Sequence, residues 1–149
     1  MTDRRLRTAA LVLAVLGIGV AGYLVYVHYA HIKPVCNIAH GCETVQKSEY
    51  AKLAGVPVAL LGLLGYIIIF ASLLVRQGEA ARMVAAFTAL VGFGFSMYLT
   101  YRELFTIDAI CQWCVASAVL MTLLAIVCTW RVVRFESASP APVAATSAE

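Results

Sequence analysis

Charge is what this sequence has least of. Only 13% of its 149 residues are Asp, Glu, Lys or Arg, while 62% are hydrophobic, a balance outside the range of water-soluble globular domains. The length suits one domain. A mean hydropathy of +0.89 excludes disorder for the chain as a whole. The formal net charge of +3 is small and scattered, so nothing suggests a nucleic-acid surface. Internal repeats of the kind that mark a solenoid are also missing.

What is present is long apolar runs. Charge-free windows cover Thr8 to Val27, Val56 to Val75, Met83 to Tyr101 and Ile110 to Trp130. A hydrocarbon core of ~30 Å needs about 20 helical residues, and in lipid a helix satisfies its own backbone over such a run. The expected fold is therefore all-α, an integral membrane four-helix bundle. Arg4, Arg5 and Arg7 precede the first window, which raises the possibility of a cleaved signal peptide. The run exceeds the ~7–15 residues of a signal core and no small-x-small site follows it, so the segment is read as a retained helix.

Basic residues give an orientation. Arg4, Arg5, Arg7, Arg76, Arg82, Arg131 and Arg134 fall on one side, and Lys33, Lys47, Lys52 and Arg102 on the other. The seven-residue side is expected to be cytoplasmic, with both termini. Residues 1–134 form the expected membrane domain. Residues 135–149, rich in Ala, Ser and Pro, form an expected disordered cytoplasmic tail.

The segment from His28 to Gly55 then lies outside, with room for structure of its own. A short helix is expected over Glu43 to Ala54, ended by Gly55-Val56-Pro57. It is read either as a lid resting on the bundle through Val45, Tyr50, Leu53 and Ala54, or as a solvated loop.

Cysteine placement carries the chemistry. Cys36 and Cys42 fall in this external loop, Cys111 and Cys114 at the outer start of the fourth window, and Cys128 near its cytoplasmic end. The oxidising side lets disulfides form and persist, so the four outer cysteines can act as two redox pairs. Cys111-Gln112-Trp113-Cys114 sets two sulfurs at i and i+3 beside the free amides of a helix expected to begin near Asp108, where a thiolate is favoured. Zinc uses the same spacing, but with no second such pair the redox reading is preferred. Gly41 would allow the sharp turn of a small Cys36–Cys42 ring, which could be a structural staple or a second exchanging pair. His28, His31 and His40 could join Cys36 and Cys42 around zinc, in a spacing that matches no common structural zinc site. Cys128 reads as a small core residue.

Several of these elements occur in a specific order. Cys36, Cys42, Ser48, the stretch Tyr50-Ala51-Lys52-Leu53-Ala54-Gly55-Val56-Pro57 running on to Tyr66, Ser96-Met97-Tyr98-Leu99 and Cys111-Gln112-Trp113-Cys114 together resemble a bacterial member of the vitamin K epoxide reductase family, over roughly residues 8–133. The resemblance implies a quinone, menaquinone or ubiquinone, bound near the outer end of the bundle beside Cys114. It also implies that Cys111 exchanges with the loop through Cys42, and that Cys36 and Cys42 take electrons from a separate, extracytoplasmic thioredoxin-fold (DsbA-like) protein. Ser48 matches a loop hydroxyl of the family that could cap a helix or reach the quinone site.

Ala118 stands where animal members carry a tyrosine, which puts epoxide reduction and anticoagulant sensitivity in question for this chain. The resulting expectation is a membrane thiol–disulfide oxidoreductase that passes two electrons to a membrane quinone and supports disulfide formation. Its alternatives are a non-enzymatic bundle with structural disulfides and a reductase whose main task is the quinone or its epoxide. DsbB-like proteins share the topology but carry the Cys-x-x-Cys in the first external loop, whereas here it comes last.

Overall fold

A computed structural model of the protein describes residues 2–38, 41–75 and 78–138. Each apolar window becomes a helix, because a continuous apolar run leaves backbone hydrogen bonding within the segment as the stable solution. These helices are α1 (Asp3–Ala30), α3 (Val58–Leu74), α4 (Glu79–Arg102) and α5 (Gln112–Ala138), with a short α2 (Cys42–Lys47) in the first connection. Among the described residues, α1, α4 with its following turn, and α5 are long and apolar enough to cross a membrane; α3 is apolar but has 17 residues.

The four long helices pack in a ring, α1 against α3 and α5, and α4 against α3 and α5. Small residues at the contacts let the backbones approach. Ala10, Ala14 and Ala21 of α1 and Ala85, Ala86 and Ala89 of α4 are buried with Ile69 of α3 and Leu124 of α5. The ring of Tyr66 fills the space that a side chain at Gly17 would need, and its hydroxyl donates to the Ser117 carbonyl at 2.8 Å. Bulky apolar residues such as Leu16, Leu64, Phe87, Leu90 and Ile126 face outward. An apolar exterior around a small-residue core is the arrangement that lipid favours and water does not.

Two ends result. At one, Asp3 meets Arg131, whose Nε lies 2.9 Å from Oδ1, and Arg82, 4.0 Å away. Arg7 caps the last turn of α3 by donating to the Leu73 carbonyl at 2.8 Å. At the other end stand the last turn of α1, the start of α3, the end of α4 and the start of α5, together with the whole first connection.

That connection departs from the expected single helix over Glu43 to Ala54. α2 stops at Lys47 because Ser48 turns extended, φ −66° and ψ 155°, and its hydroxyl donates back to the Val45 carbonyl at 2.7 Å. A 3-10 turn (Glu49–Ala51) follows, then a two-stranded antiparallel hairpin, β1 (Lys52–Leu53) with β2 (Val56–Pro57). Its turn residues Ala54 and Gly55 have φ of 51° and 84°, the left-handed pair that matches the twist of a tight hairpin. Only the first half therefore acts as a lid: Val45 is buried and Tyr50 half-buried, while Leu53 and Ala54 are exposed.

The start of the last helix also moves. α5 begins at Gln112, with Cys111 at its N-cap, rather than near Asp108. Asp108 instead ends a π turn (Glu103–Ile107) that prolongs α4, in a left-handed conformation at φ 50° that Asp tolerates. At its other end α5 runs on to Ala138, past the boundary set at residue 134. The remainder of the tail lies outside the described residues.

Candidate functional site

All four outer cysteines gather at the connection end. Cys36 and Cys42 are joined as a disulfide, with Cα atoms 6.4 Å apart, while Cys111 and Cys114 are thiols. Cys42, Val45 and Cys111 form one buried cluster, against which Cys36, Trp113 and Cys114 pack. Cys42 and Cys111 are 1% and 0% exposed, so exchange between them would occur out of water. Cys128 is buried in the main core, far along α5 from this cluster.

Gly41 brings the two pairs together, though not by the sharp turn that the sequence suggested. Its φ of −85° is open to any residue. What requires glycine is proximity: a Cβ there would stand 2.6 Å from the Ile110 nitrogen and 2.8 Å from its carbonyl oxygen. The backbone on either side of the Gly41–Ile110 contact leads directly into Cys42 and Cys111.

Local chemistry sets the second pair. Cys111 accepts the first intrahelical bond of α5, from the Val115 amide at 3.0 Å. Its sulfur faces the amides of Trp113 and Cys114 and the Cys114 thiol, as expected for a side chain at a helix start. The two residues inside the motif hold the loop. Trp113 donates from Nε1 to the Val35 carbonyl at 2.8 Å, and Gln112 both donates to that carbonyl at 3.3 Å and accepts the Ile38 amide at 3.1 Å. Tyr23 of α1 closes the clasp: its hydroxyl accepts the Val35 amide at 3.0 Å and its ring packs 4.7 Å from that of Trp113.

Below this layer lies a cavity of about 120 Å³, mostly apolar, lined by Leu24, Phe95 and Met121 and by the polar or reactive groups of Cys114, Ser48 and Glu103. That volume is on the scale of a cavity of ~150 Å³ that accepts one benzene ring. Ser48 closes α2 through its hydroxyl and also lines the cavity. Ala118 lines it too.

Glu103 escaped the sequence reading. It is 5% exposed, accepts the Cys111 amide at 3.3 Å through Oε2, and lines the cavity together with Cys114. A signal existed, since it is a carboxylate two residues past the end of an apolar window; only the π turn, which aims it inward, gives that signal meaning. For Gln112, Trp113 and Tyr23 no residue-type signal was available.

On the exposed side of α2, Glu43 binds Lys47 at 2.6 Å and Lys33 at 3.4 Å. Lys47, then Lys33, hold its carboxyl below the usual carboxylate range. Among the described residues no three His, Cys, Asp or Glu side chains gather as a metal site requires; His40 lies outside those residues.

A sequence profile of known proteins adds a further finding. It matches residues 8–129, a stretch holding both outer cysteine pairs, Ser48, Glu103 and the four apolar windows almost entire. On this match the chain belongs to the vitamin K epoxide reductase family, a family of membrane oxidoreductases that work through cysteines.

Proposed function

We propose that this protein oxidises a separate extracytoplasmic thioredoxin-fold protein and passes two electrons to a membrane quinone. All four long helices cross the membrane, the end holding Arg7, Arg82 and Arg131 is cytoplasmic, and the cysteines face outward. Residues 1–134 act as this membrane domain, with a cytoplasmic tail behind it. The positive-inside imbalance supports this orientation.

In the proposed sequence, a thiolate of the partner attacks the Cys36–Cys42 disulfide. One S–S bond forms as another breaks, and the partner leaves oxidised. Cys42 then exchanges with an oxidised Cys111–Cys114 pair through Cys111, which leaves a dithiol at the motif. Cys114 faces the cavity, where a quinone supplies the two-electron chemistry when bound. The lining suits a quinone ring, because apolar walls would hold it while the Ser48 hydroxyl and Glu103 carboxyl offer polar contacts for its oxygens.

The observation that carries this reading is the buried cluster in which Cys42 meets Cys111, directly beside the cavity that Cys114 lines. A reduced thioredoxin-fold protein, added with menaquinone or ubiquinone to the purified protein, should be oxidised as one quinone is reduced per dithiol. If both cysteine pairs stay inert while the fold is intact, they are structural bridges and the proposal fails. Ala118 leaves the cavity without the tyrosine of animal members, so reduction of a quinone epoxide is expected to be absent in the same assay.

A further inference from the structure

Among the described residues, Glu103 is the one buried carboxylate, and none of the ion pairs there includes it. The neighbouring Arg102 turns elsewhere, toward the Tyr98 hydroxyl at 3.2 Å and the ring of Tyr50. A buried acid without a cation is costly to keep unless it is hydrogen-bonded or protonated. Glu103 accepts the Cys111 amide and borders, together with Cys114, the same cavity. A residue needed only to cap α5 would not have to reach the cavity.

We propose that Glu103 is the proton carrier of the motif pair, taking up one proton when Cys111–Cys114 is reduced and releasing it when the pair is reoxidised. The inference rests on the quinone-linked reading above. Reduction breaks the S–S bond and brings in two electrons and two protons. The Cys111 sulfur faces the Trp113 and Cys114 amides at the helix start, which favour a thiolate. One proton then resides on Cys114 and the other on the Glu103 carboxyl. On reoxidation the S–S bond re-forms, the Cys114 S–H and Glu103 O–H bonds break, and two electrons and both protons pass to the quinone, which leaves as the hydroquinone. Glu103 is thus a catalytic residue, exchanging its proton with the quinone in the cavity that it lines with Cys114.

Infrared difference spectra of the quinone-free protein, reduced and reoxidised chemically, test the proton directly. A C=O stretch of a protonated carboxyl should accompany reduction and be missing in Glu103→Gln. Gln still offers an oxygen to the Cys111 amide, so this variant should fold and melt like the parent while quinone reduction falls by about 10²-fold or more. Glu103→Asp should recover part of the rate and shift the band, and it decides the matter if Glu103→Gln does not fold. No carboxyl band in the parent, a band unchanged in the variants, or full turnover by Glu103→Gln would each overturn the proposal. Should the parent show the band yet reduce no quinone, the quinone-linked reading fails while the proton placement stands.

Discussion

At the scale of single residues, the roles of the four outer cysteines differ by position rather than by type. A mixed disulfide is resolved only by the neighbouring thiol of each pair. Cys36→Ala should therefore accumulate a Cys42–Cys111 bridge within one chain, and Cys42→Ala should leave Cys36 to trap the soluble partner covalently. Peptide mapping under non-reducing conditions distinguishes these products. Free Cys42 in Cys36→Ala, an intact Cys111–Cys114 bond and unimpaired quinone reduction would show that the loop pair is a staple. The spacing of the cysteines could be read along the chain. That Cys42, rather than Cys36, is the member buried against Cys111 comes from folding, since α2 begins at Cys42 and turns it inward.

At the scale of elements, the first connection is a lid made of parts. α2 covers Cys111, Ser48 closes the helix over the cavity, and the hairpin of β1 and β2 leads into α3. The closest joint is Gly41 on Ile110. Gly41→Ala puts a methyl group within 3 Å of three atoms at Ala109 and Ile110, two of them backbone. Backbone yields little, so the lid must lift. Transfer from the loop pair to the motif pair should slow by about tenfold or more, as misplacement by ~1 Å can do. Quinone reduction by a motif pair reduced directly with a small dithiol should continue at the parental rate. Stopped-flow measurement with the two reductants checks this, and equal rates with both would remove Gly41 from any positioning role. Sequence periodicity missed this arrangement because the expected helix through Ala54 contains no strong breaker before Gly55. The break at Ser48 comes from a side-chain hydrogen bond that competes with the helix.

At the scale of the whole molecule, Arg7, Arg82 and Arg131 lie at one end of the ring of helices and Cys36, Cys42, Cys111 and Cys114 at the other. The arrangement predicts sidedness. In a variant lacking all five cysteines, Gly78→Cys and Thr106→Cys should react with a membrane-impermeant maleimide from opposite sides, Thr106 from outside. Equal labelling from outside would reverse the proposed path of electrons or abolish it. The arginine end is also tied together over a long sequence distance, Asp3 of α1 holding Arg131 of α5. These arginines, counted as orientation signals in the sequence, have a packing role that the count did not reveal.

The sequence by itself determined the membrane setting, the approximate spans and the spacing of the two cysteine pairs, because each depends on local composition and short spacing. Tertiary structure decided the rest. Glu103 lies eight residues from Cys111, Gln112 lies 74 from Ile38, and Tyr23 lies 12 from Val35. Such contacts follow from how a π turn, a helix start and a lid meet in space. Hydropathy averages over those geometries, so a carboxylate aimed into the cavity and one exposed at its rim read identically along the chain. What separates them is the packing of α2 and α5 around Glu103, which removes it from water and sets it against both sulfurs' surroundings.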